Sequence, residues 1–212
     1  MTTVALIPVK DLDQAKTRLA PVLDDPARRE LVLAMLHDVL DAALGCAAID
    51  RAAVVTRDPL VLALAASLGA EGMREPGGLN EALDAAARRV AEAGATRIVV
   101  IAADLPFARA DGIASVVANG ADVALVPSKD GGTNALASAP GAFAFAFGPD
   151  SATRHEAAAQ AAGLQAERLA LPDLVLDIDT PEDLDRLRDE IDRAGAHTRA
   201  ALQRLGLVSA AR

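Results

Sequence analysis

Short apolar runs and longer stretches of helical spacing take turns along this chain. Residues 4–8, 52–56, 97–103 and 121–126 are compact apolar runs, suited to strands buried on both faces of a parallel sheet. Between them lie helical patterns. Asp25-Pro26 opens one that runs to about Leu44, with Leu31, Met35, Val39 and Leu40 recurring near helical spacing. Asp58 is the candidate N-cap of the next, with Pro59 in its first turn and Gly69 at its end. The loop Gly77-Gly78-Leu79-Asn80 feeds a third helix to about Ala93, closed by Gly94.

Further along, the pattern predicts a short helix over 108–117 and a polar, glycine-containing loop over 128–134. It then predicts extended segments over 135–138 and 142–147, and a helix over 151–162. A last short strand is expected over 174–178. The Thr180-Pro181-Glu182-Asp183 start signal then leads into a helix through Leu184, Leu187 and Ile191. Alternating strands and helices imply an α/β fold of three layers, α/β/α, with a mostly parallel sheet. No internal repeat or interdomain linker interrupts the pattern, so residues 1–212 read as a single domain.

Composition narrows the functions available. The chain is 52% hydrophobic with no Trp or Tyr and four Phe, so its core relies on aliphatic packing and offers few base-stacking platforms. A formal charge of −9 also argues against a nucleic-acid partner, which calls for a basic face. One cysteine, Cys46, excludes an intrachain disulfide and a cysteine-based zinc site. The first residues lack the basic region and apolar stretch of a signal peptide, and no apolar run reaches membrane-spanning length. A soluble, cytoplasmic protein is the expectation, with no membrane partner.

Three separated segments then carry the candidate chemistry. Ile7-Pro8-Val9-Lys10 with Ala15-Lys16-Thr17-Arg18 places three cations after the first strand. Ala103-Asp104-Leu105-Pro106 and Asp177-Ile178-Asp179-Thr180-Pro181 place carboxylates at or near strand ends. In a sheet of this kind ligands sit beyond the carboxyl ends of the strands, so the segments converge on one crevice. Lys10, Lys16 and Arg18, on a flexible loop, can wrap a triphosphate and neutralise charge as its α-phosphate is attacked. Asp104 joined by Asp177 and Asp179, which share one side of an extended segment, forms a cluster whose repulsion favours Mg²⁺. The bland alternatives are a solvated basic loop, an Asp capping a turn after Asp104, and Asp179 as N-cap of the Pro181 helix.

Gly131-Gly132-Thr133-Asn134 and Gly148-Pro149-Asp150-Ser151 add backbone access and hydroxyls, with Ser151 at a helix N-terminus where anions are favoured. Each could equally be an ordinary turn. Neither a P-loop nor a dinucleotide-binding glycine pattern is present. His37, His155 and His197 show no metal-ligand spacing and are expected on the surface or half-buried on helices.

Together these residues resemble the CofC/FbiD family, guanylyltransferases of deazaflavin coenzyme F-420 biosynthesis. The resemblance spans almost the whole chain and adds Gly78-Leu79-Asn80-Glu81-Ala82-Leu83, Asp130-Gly131-Gly132-Thr133-Asn134 and Phe147-Gly148-Pro149-Asp150-Ser151. It implies a nucleotidyltransferase fold of the nucleotide-diphospho-sugar transferase kind. It implies transfer of GMP from GTP onto the phosphate of a three-carbon phospho-acid, with release of pyrophosphate. The acceptor is phosphoenolpyruvate, 2-phospho-L-lactate or 3-phospho-D-glycerate, with phosphoenolpyruvate the one common among bacterial members. By the same resemblance Asp104, Asp177 and Asp179 hold Mg²⁺, and Lys10, Lys16 and Arg18 embrace the GTP phosphates. Gly78, Leu79 and Asn80 lie near the guanine, Thr133, Gly148 and Ser151 bind the acceptor, and the product is handed to a downstream lactyl-transferring enzyme. Molybdopterin or sugar-phosphate nucleotidyltransfer is the enzymatic alternative, though the glycine-rich first loop of those relatives is missing. A non-catalytic nucleotide-binding regulator is the alternative from another class.

Overall fold

The computed structural model describes residues 1–74 and 76–209. A seven-stranded sheet runs in the order β3-β2-β1-β4-β6-β5-β7. Its strands are β1 (Thr3–Pro8), β2 (Arg51–Val55), β3 (Glu71–Met73), β4 (Arg97–Ile101), β5 (Val123–Pro127), β6 (Thr133–Ser138) and β7 (Ala166–Arg168). All neighbouring pairs are parallel except those made by β6, which runs antiparallel to both β4 and β5. The three-layer α/β/α expectation therefore holds, with one reversed strand set into the middle of the sheet.

Side-chain alternation along each strand divides the core in two. Ala5, Ile7, Val54, Val99 and Ile101 face one side, where α1 (Asp25–Leu44), α2 (Pro59–Ser67), α4 (Ala110–Ala118), α6 (Pro181–Asp189) and α7 (Ala196–Arg204) supply Leu36, Val61, Ile113, Leu187 and Leu202. Val4, Leu6, Val55, Ile98 and Val100 face the other, covered by Leu83 and Val90 of α3 (Leu79–Glu92) and Ala152 and Ala159 of α5 (Ser151–Ala161). Burying a leucine or valine in either layer contributes roughly 1.5–3 kcal/mol. Asp58 caps α2 as expected, accepting from Leu60 N at 2.8 Å, and Asp24 caps α1, accepting from Ala27 N at 2.9 Å.

The strand expected over 174–178 and the extended segment expected over 142–147 are not strands of the sheet. In 174–178, Leu174, Leu176 and Ile178 are buried, which explains the apolar pattern. The backbone there is held by the Asn134 side chain, which donates to Leu174 O at 3.0 Å and Val175 O at 3.1 Å, and by Ile178 N donating to Asp104 O at 3.3 Å. In 142–147 the amides of Phe145, Ala146 and Phe147 donate to Asp84 Oδ1, His155 Nε2 and Asn80 Oδ1 at 3.0, 3.0 and 2.7 Å. A side-chain donor takes the place of a strand neighbour in the first segment, and side-chain acceptors do so in the second. The short strands β3 and β7 and helix α7 lie outside the sequence expectation, and α6 stops at Asp189, before Ile191. No helix among the described residues is long and apolar enough to cross a membrane.

Candidate active site

Strand order reverses direction between β1 and β4: the chain builds outward from β1 through β2 to β3, then returns to lay β4 on β1's other edge. Loops leaving the carboxyl ends of these two strands diverge and open a crevice there. The cationic loop leaves β1 and Asp104 follows β4, so both expected segments border that crevice.

The cationic loop is not the open, flexible segment expected. It forms two 3₁₀ turns, Leu12–Gln14 and Thr17–Leu19, anchored by buried Leu12 and Leu19. Leu12 N donates to Asp58 Oδ2 at 3.0 Å, which ties the loop to the start of α2. Lys16 sits between the turns in the left-handed region, φ 54°, a conformation that costs a non-glycine residue about 1–3 kcal/mol. The twist turns its side chain inward. That side chain is only 8% exposed, and its ammonium donates to Asp104 Oδ2 and to Asp179 Oδ1, the latter at 2.8 Å.

This ion triad joins segments 88 and 163 residues apart in sequence. Burial pulls the Lys16 pKa down, but the charges and hydrogen bonds of Asp104 and Asp179 outweigh it and leave the pKa raised. Asp179 shows the mirror image. Burial would raise its pKa, yet Lys16 above all, then Arg18 and Lys10, hold it below the usual carboxylate range. All three loop cations therefore act on one carboxylate. Asp177, buried, is pushed up by burial and then by the charge of Asp104. Three carboxylates and one inserted ammonium share the crevice.

The N-cap of α6 is Thr180, not Asp179: Thr180 Oγ1 accepts from Asp183 N at 3.4 Å, and Asp183 Oδ2 accepts from Thr180 N at 2.8 Å. Asp183 Oδ2 also accepts from Asp179 N at 3.1 Å, and the Asp183 carboxylate pairs with the Lys129 ammonium. Asp183 thus fixes the backbone of Asp179 and leaves that carboxylate to Lys16. Asn134, buried in β6, reaches Asp177 Oδ1 at 3.4 Å besides the two carbonyls it holds. Asn134 and Asp183 position the acidic segment, roles that sequence spacing does not disclose.

The donor set suits Mg²⁺: carboxylate oxygens at the edge of a crevice, already gathered about a cation. Among the described residues, a group with ligand atoms all within 4.8 Å of one another is His37, Asp41 and His197, not the aspartates. The Lys16 ammonium lies between Asp104 and Asp179. The two histidine rings stack 3.4 Å apart beside a separate hollow of about 540 Å³ between α1, α2 and α7. None of the expected site residues lines that hollow.

A second hollow, of about 290 Å³, adjoins the cationic loop and is lined by Lys10, Gln14, Thr56, Arg57, Gly78 and Leu79 among others. Of the expected nucleotide residues it gathers Lys10, Gly78 and Leu79. Asn80 turns away: its Nδ2 donates to Phe147 O at 3.1 Å and its Oδ1 accepts from Phe147 N at 2.7 Å. That pair of hydrogen bonds links the start of α3 to the segment leading into Gly148. The carboxylate of Glu81 accepts from Gly78 N at 3.0 Å and closes the N-terminus of α3.

Thr133, Gly148 and Ser151 are brought together. Ser151 Oγ donates to Thr133 Oγ1 at 2.9 Å, and both side chains are buried. Gly148 has φ 126°, which side-chain-bearing residues rarely adopt, and an added Cβ would stand 3.3 Å from Arg154 Nη2. The first amides of α5 are not open to an anion as expected: Ser151 N donates to Gly148 O at 3.2 Å and Ala152 N to Gly131 O at 3.1 Å. They bind the two glycine turns to one another instead. His155, expected at the surface or half-buried, is wholly buried beside this pair, with Nδ1 3.1 Å from Thr133 Oγ1. Its signal lay in the four-residue interval from Ser151, which puts both on one helix face.

The chain is 42% identical over 192 residues to the phosphoenolpyruvate guanylyltransferase of Sphaerobacter thermophilus, covering 88% of this chain and 93% of the relative. It is 38% identical to the protein of the same name from Conexibacter woesei, covering 97% of each. Among solved structures, a candidate nucleotide-diphospho-sugar transferase from Desulfovibrio desulfuricans G20 superposes with a TM-score of 0.80 at 20% identity, covering 97% of this chain and 96% of that one. That likeness establishes the nucleotidyltransferase fold. Residues 3–211 match the family described as "Guanylyl transferase CofC like", and the chain belongs to that family.

Proposed function

We propose that this protein transfers GMP from GTP to the phosphate of phosphoenolpyruvate, releasing pyrophosphate, as a step in deazaflavin coenzyme F-420 biosynthesis. An oxygen of the acceptor phosphate attacks the α-phosphorus of GTP, and the bond from that phosphorus to the bridging oxygen of the β-phosphate breaks. The acceptor phosphate is already ionised, so no general base is needed. Catalysis then rests on alignment and charge neutralisation.

The observation that carries this reading is Lys16, buried and bridged to Asp104 and Asp179 at the switch point of the sheet. Asp104, Asp177 and Asp179 would hold Mg²⁺, which when bound supplies positive charge to the phosphates. Lys10, Lys16 and Arg18 neutralise the triphosphate, and Gly78 and Leu79 line the nucleoside hollow. Thr133, Gly148 and Ser151 take the phospho-acid, and the product passes to a lactyl-transferring enzyme. The sugar- and molybdopterin-type alternatives are disfavoured, because the likeness to a sugar-nucleotide enzyme is one of fold at 20% identity. A non-catalytic regulator has no use for a full set of loop cations opposite three carboxylates.

The test is pyrophosphate release measured with GTP, ATP, CTP and UTP against phosphoenolpyruvate, 2-phospho-L-lactate and 3-phospho-D-glycerate. Fastest release with GTP and phosphoenolpyruvate is expected. Preference for a sugar phosphate, or no release with any pair, would refute the reading.

A further inference from the structure

His155 lies at the centre of an apolar cage, its ring centroid 6.1, 6.4 and 4.7 Å from those of Phe143, Phe145 and Phe147. The chain has four phenylalanines, and three of them surround this one imidazole. The ring makes two hydrogen bonds. Ala146 N donates to Nε2 at 3.0 Å, and Nδ1 lies 3.1 Å from Thr133 Oγ1. A backbone amide can only donate, so Nε2 must be the bare nitrogen and the proton must sit on Nδ1. Nδ1–H then donates to Thr133 Oγ1. The same oxygen also accepts from Ser151 Oγ at 2.9 Å.

A hydroxyl oxygen has two lone pairs, and both on Thr133 are now taken. Its own proton is left to point elsewhere. Thr133 is 8% exposed against 1% for Ser151, so it is the member of the pair nearer to solvent. We infer that His155 is a positioning residue of the acceptor pocket, locked by Ala146 as the Nδ1–H tautomer so that the Thr133 hydroxyl can act only as a donor. Such a hydroxyl favours an anionic oxygen of a phospho-acid and disfavours a ligand that presents an N–H or O–H donor there. The inference rests on the assignment of Thr133, Gly148 and Ser151 to the acceptor. Burial first, and then the neighbouring Arg154 charge, lower the His155 pKa to about 4, so one neutral tautomer persists throughout the working range.

The experiment has a spectroscopic arm and a kinetic arm. Nitrogen-15 NMR of the wild-type imidazoles reads the tautomer directly, and a protonated Nδ1 with bare Nε2 is expected for His155. Kinetically, His155→Phe keeps a ring in the cage but removes the donor. Loss of one oriented hydrogen bond should raise the Michaelis constant for phosphoenolpyruvate about ten-fold, with that for GTP changed less than about two-fold. His155→Asn, whose amide N–H lies near the former Nδ1, should recover to within about three-fold of wild type. In a Thr133→Val background His155→Phe should add nothing further, because the two act through one oxygen.

A proton found on Nε2 overturns the inference. So does a His155→Phe protein that retains wild-type acceptor kinetics, or one in which both Michaelis constants shift alike. A wild-type protein that releases no pyrophosphate would overturn the functional reading and this inference with it. Wild-type turnover combined with any of the former outcomes overturns the inference alone.

Discussion

Replacing Lys16 by methionine removes the charge at the centre of the ion triad while shortening the unbranched side chain by one atom. Deleting one partner of a buried ion pair costs about 3–5 kcal/mol, because the remaining charge stays desolvated. Here the Asp104 and Asp179 side chains are 23% and 38% exposed, so water recovers part of that cost. About 2.5 kcal/mol is the expected loss for Lys16→Met in the absence of divalent metal. For a domain of this length that lowers the melting temperature by about 5–10 °C. The variant's carboxylates, without their internal counterion, should gain more from millimolar Mg²⁺ than the wild type does, since the ammonium no longer competes for Asp104 and Asp179. Activity should fall by about 10²–10³ in kcat through loss of a preorganised charge at the phosphates. Thermal melts of both proteins with and without Mg²⁺, paired with pyrophosphate release, measure all three effects. A Lys16→Met protein that melts with the wild type without metal, and gains no more from Mg²⁺, would refute the idea that lysine and metal share these carboxylates.

Asp104→Asn and Asp179→Asn should each nearly abolish GMP transfer and leave the circular dichroism spectrum unchanged; wild-type turnover at saturating Mg²⁺ in either would refute their assignment as ligands. Ser151→Ala should raise the Michaelis constant for the acceptor more than that for GTP. Gly148→Val should be worse, because φ 126° is strained for any side chain and its Cβ would stand 3.3 Å from Arg154 Nη2; unaltered steady-state kinetics in both would displace the acceptor site. The lowered His155 pKa also predicts a pH dependence of stability. The unfolded histidine takes up a proton below about pH 6.5 while the folded one resists until about 4, so stability is greatest above 6.5 and falls across that window by up to about 1.4 kcal/mol per pH unit. Urea unfolding of wild type and His155→Asn from pH 7 to 4 should show that component in the wild type only, and parallel curves would exclude it.

Long-range convergence of the three chemical segments was legible because each follows or abuts an apolar run, and the ends of parallel strands share one edge. Lys16 and Asp104 meet for that reason, while Asp179 reaches them from a segment held by Asn134 and Asp183. What spacing could not disclose is which side-chain donors and acceptors replace a strand ladder. The alternation in 174–178 is that of a strand, yet Asn134 claims its carbonyls; the phenylalanines of 142–147 alternate likewise, yet Asp84, His155 and Asn80 claim the amides. Short β3 and β7 carry too few residues for a period to register. The left-handed turn at Lys16 had no glycine or asparagine to announce it, so a loop pinned by Leu12 and Leu19 read as a flexible one. Buried polar partners such as His155 and Asp183 look in sequence like ordinary residues of polar helix faces.

Phosphorus-31 NMR of the reaction products tests the central claim most directly. With GTP, phosphoenolpyruvate and Mg²⁺, the account predicts one equivalent of pyrophosphate for each new phosphoanhydride joining GMP to the enolpyruvyl phosphate, seen as two mutually coupled diphosphate resonances. Pyrophosphate without that coupled pair, or GTP consumed to GDP and inorganic phosphate, would contradict it.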